Sequence, residues 1–341
     1  MAKEKLSDRL IKGIKINHGA SVLSDNLNLF DIDNSDFITT EIPILNVALS
    51  GRVDGGLPFG VTMFAGPSKH FKTSYGLILA KAFQDKFPEG IVLYLDSEFG
   101  GTQYLDKFGI DRERVVHVPV TNIEELKFNV MSMLDEVTKD DKLFILCDSL
   151  GNLASKKEVE DALEGKSVAD MSRAKQMKSF FRMVTPIINL KKIYTYFIQH
   201  TYQSQSFIPT DVVAGGTGAY YSSDTIVIVG RSQEKDKEGL TGFNFKLKIE
   251  KSRFVKEKSS FDIIVTFEGG VNKFSGLAEV ALECGIIDSD KITELPRNPK
   301  GYRFKDSYTT ETDSPSDKDF WSKVIQESDL NDVLYKAYKT V

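Results

Sequence analysis

Apolar residues in this chain fall into short runs, each bounded by polar or turn-forming residues. Val61–Ala65, Ile91–Asp96, Val115–Val118, Leu143–Asp148, Ile193–Gln199 and Thr225–Val229 stand out, and the earlier runs are apolar almost throughout. Strands read this way when helices cover both faces of a parallel sheet. Phe243–Glu250 and Phe261–Phe267 alternate more clearly across a charged turn, which predicts an antiparallel hairpin. At the N-terminus Leu6, Leu10, Ile11 and Ile14 repeat at helical spacing, with Ser7 placed to cap and Gly13 weakening the pattern. A polar stretch over 35–40 follows. Beyond residue 275 the pattern predicts a helix near Leu277–Cys284 and a polar region to about residue 318. A helical tail then carries Trp321, Val324, Ile325, Leu330 and Leu334. The expected fold class is α/β, a mostly parallel central sheet over 45–275 with a small N-terminal segment (1–44) and a C-terminal subdomain (276–341).

Composition changes this picture little. With 341 residues, 41% hydrophobic and 27% charged, the chain can bury a large core without disulfides or structural metals. Its two cysteines, Cys147 and Cys284, exclude a disulfide scaffold and fit a reducing compartment; Cys147 lies in an apolar run and reads as core. His18, His70, His117 and His200 lie far apart, without metal-ligand spacing. No apolar stretch approaches the roughly 20 residues that span a membrane, and the N-terminus lacks an apolar signal core. A soluble, intracellular protein is expected. The net charge of −5 gives no bulk attraction to nucleic acid. Any DNA contact must come from local basic and backbone groups.

The chemistry sits at strand ends. Gly66, Pro67, Ser68, Lys69, His70, Phe71, Lys72 and Thr73 follow an apolar run and open a helical one from Ser74 to Phe83. That is the setting of a P-loop, in which backbone amides and a helix N-terminus cradle phosphates, the lysine reaches the β/γ oxygens and the hydroxyl ligates Mg²⁺. Phe71 stands where a second glycine is usual, so the string alone is a weak signal, and a polar strand-to-helix turn would explain it. Context strengthens it. Asp148 ends another apolar strand, as a carboxylate that supports Mg²⁺ requires. Asp96-Ser97-Glu98 ends a third, and Glu98 there can polarise an attacking water. Ligands of a doubly wound sheet bind at such C-terminal strand ends. Gln199 or His200, ending a fourth strand, can sense the γ-phosphate, although a structural histidine reads equally well.

Taken in order, the segments 42–51 and 55–60, the P-loop, Asp96–Glu98 and Asp148–Asn152 resemble the RecA family. The segments Gly66–Thr73, Asp148–Lys157 and Glu250–Arg253 are most similar to the recombinases of T-even-type phages, where Phe71 at the glycine position is itself a feature. The likeness runs from about residue 5 to the C-terminus, where the acidic tail associated with that branch is expected to be either absent or trimmed. It implies ATP and Mg²⁺ as cofactors, with Lys72 and Thr73 on phosphates and metal, Asp148 behind the metal and Glu98 activating water. Tyr104 matches an adenine-stacking tyrosine across a one-residue gap near Thr102, and His200 takes the place of a γ-phosphate-sensing glutamine. Lys251 and Arg253 match a basic pair that reaches a neighbouring protomer's ATP. Read alone, two cations on alternate strand residues share one face and could equally be a solvated hairpin edge.

The resemblance also assigns two DNA loops, Ser155–Met171 and Thr201–Tyr221. Gly215, Gly216 and Thr217 would let backbone amides approach phosphates. Arg173, Lys175 and Lys178 would supply counter-charge, against the plainer reading of a solvated helix face. Phe207 or Ile208 would wedge between bases. The N-terminal helix, with the apolar segment 42–49 beside it, is the candidate protomer-to-protomer contact, and docking within the same chain is the competing reading. The expected protein is an ATP-dependent recombinase filamenting on single-stranded DNA and exchanging strands with homologous duplex. Its further partners would be a phage single-strand-binding protein and a recombination mediator, in the cytoplasm of an infected bacterial host and away from membranes. A ring helicase of the same fold and a regulatory adaptor are the alternatives.

Overall fold

The computed structural model describes residues 6–15, 33–165, 172–204, 210–237, 239–296 and 298–340. A short helix α1 (Leu6–Lys12) comes first and buries none of its residues. Helix α2 (Pro43–Ser50) follows, opened by a proline and ended by Gly51 in the left-handed conformation. Next come β1 (Gly60–Ala65), α3 (Lys72–Lys86), β2 (Ile91–Asp96), β3 (Val115–Pro119), α4 (Ile123–Glu136) and β4 (Leu143–Asp148). Helices α5 (Lys156–Leu163) and α6 (Ser172–Leu190) lead into β5 (Tyr194–Gln199). A small hairpin of β6 (Thr201–Gln203) and β7 (Asp211–Val213) then precedes helix α7 (Gly216–Ser222). The long strands β8 (Thr225–Lys235), β9 (Leu240–Ser252) and β10 (Ser260–Thr266) and the short β11 (Gly270–Val271) complete the main sheet.

That sheet has nine strands in the order β11-β10-β9-β8-β1-β5-β4-β2-β3. From β8 through β3 the pairings are parallel, while β8, β9, β10 and β11 pair antiparallel. The strand expected over 225–229 continues to Lys235, because its second half pairs with β9 as a solvated antiparallel ribbon. Alternate residues of the parallel strands enter opposite cores. Phe64, Tyr94, Leu146 and Tyr196 join α2, α3 and the C-terminal helices on one face. Met63, Leu95, Cys147 and Phe197 join α4 and α6 on the other. This two-sided burial is why those strands carry no polar alternation.

One expectation changes. The segment 42–49 is no contact surface: every residue of α2 is buried in the chain's own core, and Asn46 bonds the backbone of Thr40 and Val53 beneath it. An apolar run of that length reads the same whether a neighbour or the same chain covers it. Helix α1, by contrast, leaves Leu6 61% and Leu10 63% exposed. The polar region after α8 (Leu277–Glu283) has regular structure of its own. It forms a three-stranded sheet of β12 (Asp288–Lys291), β13 (Lys300–Phe304) and β14 (Ser307–Thr310), ahead of α9 (Lys318–Glu327) and α10 (Leu330–Tyr338). Trp321 is fully buried there and its indole N–H donates to the Ser314 carbonyl.

Candidate active site

The C-terminal ends of β1, β5, β4 and β2 are neighbours in the sheet, so groups rooted there converge. A cavity of about 430 Å³ opens above them, bounded by Ser68–Ser74, Glu98, Tyr104, Asp148 and His200 among others. Gly66 and Pro67 precede this stretch in the loop after β1. The Lys72 ammonium donates to the Gly66 carbonyl at 2.9 Å and the Pro67 carbonyl at 2.7 Å, which holds it inside the loop. Burial lowers the Lys72 pKa, while Glu98 and Asp148 oppose that shift. Helix α3 begins at Lys72, so the free amides of its first turn face the cavity, an arrangement suited to anions. His70 Nδ1 lies 2.9 Å from the Ser68 carbonyl within the same loop.

Asp148 is buried at the end of β4. Its Oδ2 accepts from the Thr73 hydroxyl at 2.6 Å, whereas Oδ1 is buried without a partner among the described residues. Burial pushes its carboxyl up to about 6 despite the Thr73 bond, and Glu98 and Asp96 nearby add to the shift. A hydroxyl and an under-satisfied carboxylate side by side fit a divalent cation, whose charge would offset this burial cost. Thr73 and Asp148 are therefore the residues that would hold Mg²⁺.

Glu98 is steadied by two donors, the Ser149 hydroxyl at 3.0 Å and the Asn152 amide at 3.1 Å, both reaching Oε1. Asn152 turns its carbonyl to His200 Nε2 at 3.1 Å, so one side chain ties the acid to the histidine. Burial lowers the His200 pKa, Lys72 adds to that, and Glu98 opposes it. Beneath them Gln199 is fully buried; its Oε1 accepts the His200 amide, and its Nε2 has no partner among the described residues. Gly151 is required here, because a Cβ would lie 2.0 Å from His200 Cδ2 and 2.9 Å from Gln199 Oε1. Tyr104 lines the cavity mouth, 42% exposed, with the Lys107 ammonium over its ring.

Other candidates lie elsewhere. Lys251 donates to the carbonyls of Tyr220, Tyr221 and Ser223 and so caps the end of α7. Arg253 pairs with Asp224 at 2.9 Å. Asp224 in turn accepts from the Val61 amide at the start of β1, so this pair sits at the opposite end of β1 from the chain's own P-loop. Arg173 spends its guanidinium on the carbonyls of Leu150, Gly151 and Leu153, so it braces the turn after β4 rather than standing free. Lys175 and Lys178 are exposed on α6, and Gly215, Gly216 and Thr217 open α7 beside it. Phe207 and Ile208 lie outside the described residues.

Sequence reasoning missed Ser149, Asn152 and the buried role of Gln199. The string Asp148-Ser149-Leu150-Gly151-Asn152 held the signal, since polar residues directly after a strand-end acid can face the same site.

Known proteins resemble the chain as follows. The family described as RecA N-terminal domain matches residues 17–272. The recombination and repair protein of Enterobacteria phage T4 is 41% identical over 98% of this chain and 86% of its own length. The RecA protein of Rickettsia bellii (strain RML369-C) is 25% identical over 69% of this chain and 68% of its own. That of Ruegeria pomeroyi is 23% identical over 69% of this chain and 67% of its own.

Proposed function

Because this chain belongs to the RecA family, we propose that it is a recombinase that couples ATP hydrolysis to pairing and strand exchange between single-stranded DNA and a homologous duplex. One observation carries the reading. Lys72, Thr73, Asp148, Glu98 and His200, drawn from four strand ends, border one cavity suited to a Mg-triphosphate. Bound Mg²⁺ would neutralise phosphate charge beside Thr73 and Asp148. Lys72 and the α3 amides hold the phosphates, and Glu98, fixed by Ser149 and Asn152, accepts a proton from the attacking water. Tyr104 offers a stacking face for the base.

His200, through Asn152, reads the γ-phosphate end of the site and stands where the chain enters the β6–β7 hairpin and α7. Nucleotide state is thereby coupled to the DNA loops. Lys251 and Arg253 serve the ATP of a second copy in a filament, since their own P-loop lies at the other end of β1. The exposed apolar stripe of α1 is the segment that docks on that neighbour. Single-stranded DNA lies along α6 and α7, with Lys175, Lys178 and the amides of Gly215, Gly216 and Thr217 on its phosphates. A phage single-strand-binding protein and a mediator complete the partners, in the host cytoplasm. No helix among the described residues is long and apolar enough to cross a membrane.

The test is ATP turnover with and without single-stranded DNA, followed by joint-molecule formation on homologous strands. Stimulated turnover with pairing supports the recombinase. Unwinding without pairing would point to a ring helicase, and neither activity to an adaptor. E98Q should bind nucleotide and DNA yet stall hydrolysis.

A further inference from the structure

Asp96 ends β2 two residues before Glu98 and is 1% exposed. Its Oδ1 accepts the backbone N–H of Glu98 at 3.0 Å and of Phe99 at 2.7 Å, so this carboxylate shapes the turn at the root of the Glu98 side chain. Its Oδ2 meets Nε2 of His117 at 3.1 Å. His117 belongs to β3, the edge strand of the sheet, in register with Tyr94 and with its ring 5.7 Å from the Tyr94 ring. The Tyr94 hydroxyl lies under the same loop, since a Cβ on Gly101 would come within 1.6 Å of it. The loop carrying Glu98 thus rests on two buried groups of β2, and a histidine outside the nucleotide cavity contacts both.

We propose that His117 is a positioning residue for hydrolysis: by donating to Asp96 it fixes the Glu98 turn and hence the aim of the Glu98 carboxylate. The terminal torsion of an aspartate is broad and soft. Two amides on one oxygen leave it free to rock, and a donor on the other oxygen removes that freedom. Supporting contacts of this kind set the precision of a reacting group. The inference rests on the reading of Glu98 as the group that activates water.

The experiment is steady-state ATP turnover on single-stranded DNA by full-length H117Q and H117F, with E98Q alongside. Glutamine places an amide near the Nε2 position, whereas phenylalanine keeps the ring against Tyr94 and brings no donor. H117F should lose about tenfold to about a hundredfold in kcat, with KM for ATP within about twofold of wild type. H117Q should stay near wild type. Wild-type kcat in H117F beside an inactive E98Q overturns the positioning role alone, and an active E98Q overturns the reading beneath it. Equal losses in H117F and H117Q, or a loss that appears in KM, also overturn it. If H117F does not fold, H117N, whose shorter amide stops short of Asp96, takes its place with the same outcomes.

Discussion

The ring of Phe71 lies against that of Phe245, with centroids 5.2 Å apart and planes 27° from parallel. Phe71 also meets Tyr75 edge-on at 5.2 Å and adopts a left-handed backbone, φ +60. That conformation costs an L residue about 1–2 kcal/mol, and glycine escapes the cost. Aromatic pairs return about 0.5–1.5 kcal/mol each beyond the area they bury. The loop therefore keeps a glycine-like turn without glycine, because α3 and the antiparallel extension hold it. Arg231 adds to this by stacking on Phe243 and donating to the Lys69 carbonyl at 3.0 Å.

The order of stability among Phe71 variants follows. F71A keeps the strained backbone and loses the ring, so it should be destabilised by about 2–3 kcal/mol, below the range for a fully buried phenylalanine. F71G loses the same ring but relaxes the backbone, and should recover about 1 kcal/mol of that. Urea unfolding of both variants checks the order, and F71G falling below F71A would contradict it.

The Arg253–Asp224 pair makes a pH-dependent prediction. Burial raises the Asp224 carboxyl, while the Val61 amide and Arg253 pull it down. A carboxyl raised in the folded state binds its proton more tightly there than in the unfolded chain. Its stabilising contribution is complete below the ordinary aspartate range near about 4 and is lost as pH rises through the folded value. R253Q raises this carboxyl further, so its stability deficit should grow from about pH 4 towards neutrality. With Arg253 largely exposed, the deficit should reach only about 1 kcal/mol. Urea midpoints measured across that range would refute the idea if the deficit stayed constant.

G151A tests the link between nucleotide and DNA. The added methyl must displace the His200 ring from Asn152. Nucleotide binding should persist, since the P-loop is untouched. The tightening of single-stranded DNA binding by a non-hydrolysable ATP analogue should shrink by about tenfold, within the usual range of coupling energies. An unchanged ratio of DNA affinities in the analogue and in ADP would show that His200 is not in that path.

The three cations near the first loop should behave differently. Replacing both Lys175 and Lys178 with alanine should weaken single-stranded DNA binding and reduce its log–log salt slope by about 0.7 for each phosphate that is no longer neutralised. R173A should instead lose roughly 1–3 kcal/mol of stability, since it leaves three carbonyls short of a donor. Salt titrations and unfolding curves on the same variants separate the two effects.

The sequence by itself determined the strands that carry the site and the groups at their ends. Strands covered on both faces announce themselves as unbroken apolar runs, and Lys72, Thr73, Glu98, Asp148 and His200 each lie within a few residues of such a run. Those are local relationships, legible along one line of text. Only the tertiary structure decided that Asn152 bridges Glu98 and His200, that Asp96 reaches His117, and that α2 is core rather than contact. It also decided that Arg173 and Lys251 serve carbonyls at turn and helix ends. Each of these depends on which distant segment lies across the gap. Periodicity records the face a residue presents but carries no information about the partner that meets it. The small β12–β14 sheet was hidden for a related reason: its strands are four or five residues long, β12 is exposed throughout and β13 and β14 bury only three residues between them, so little apolar patterning marks their sequence.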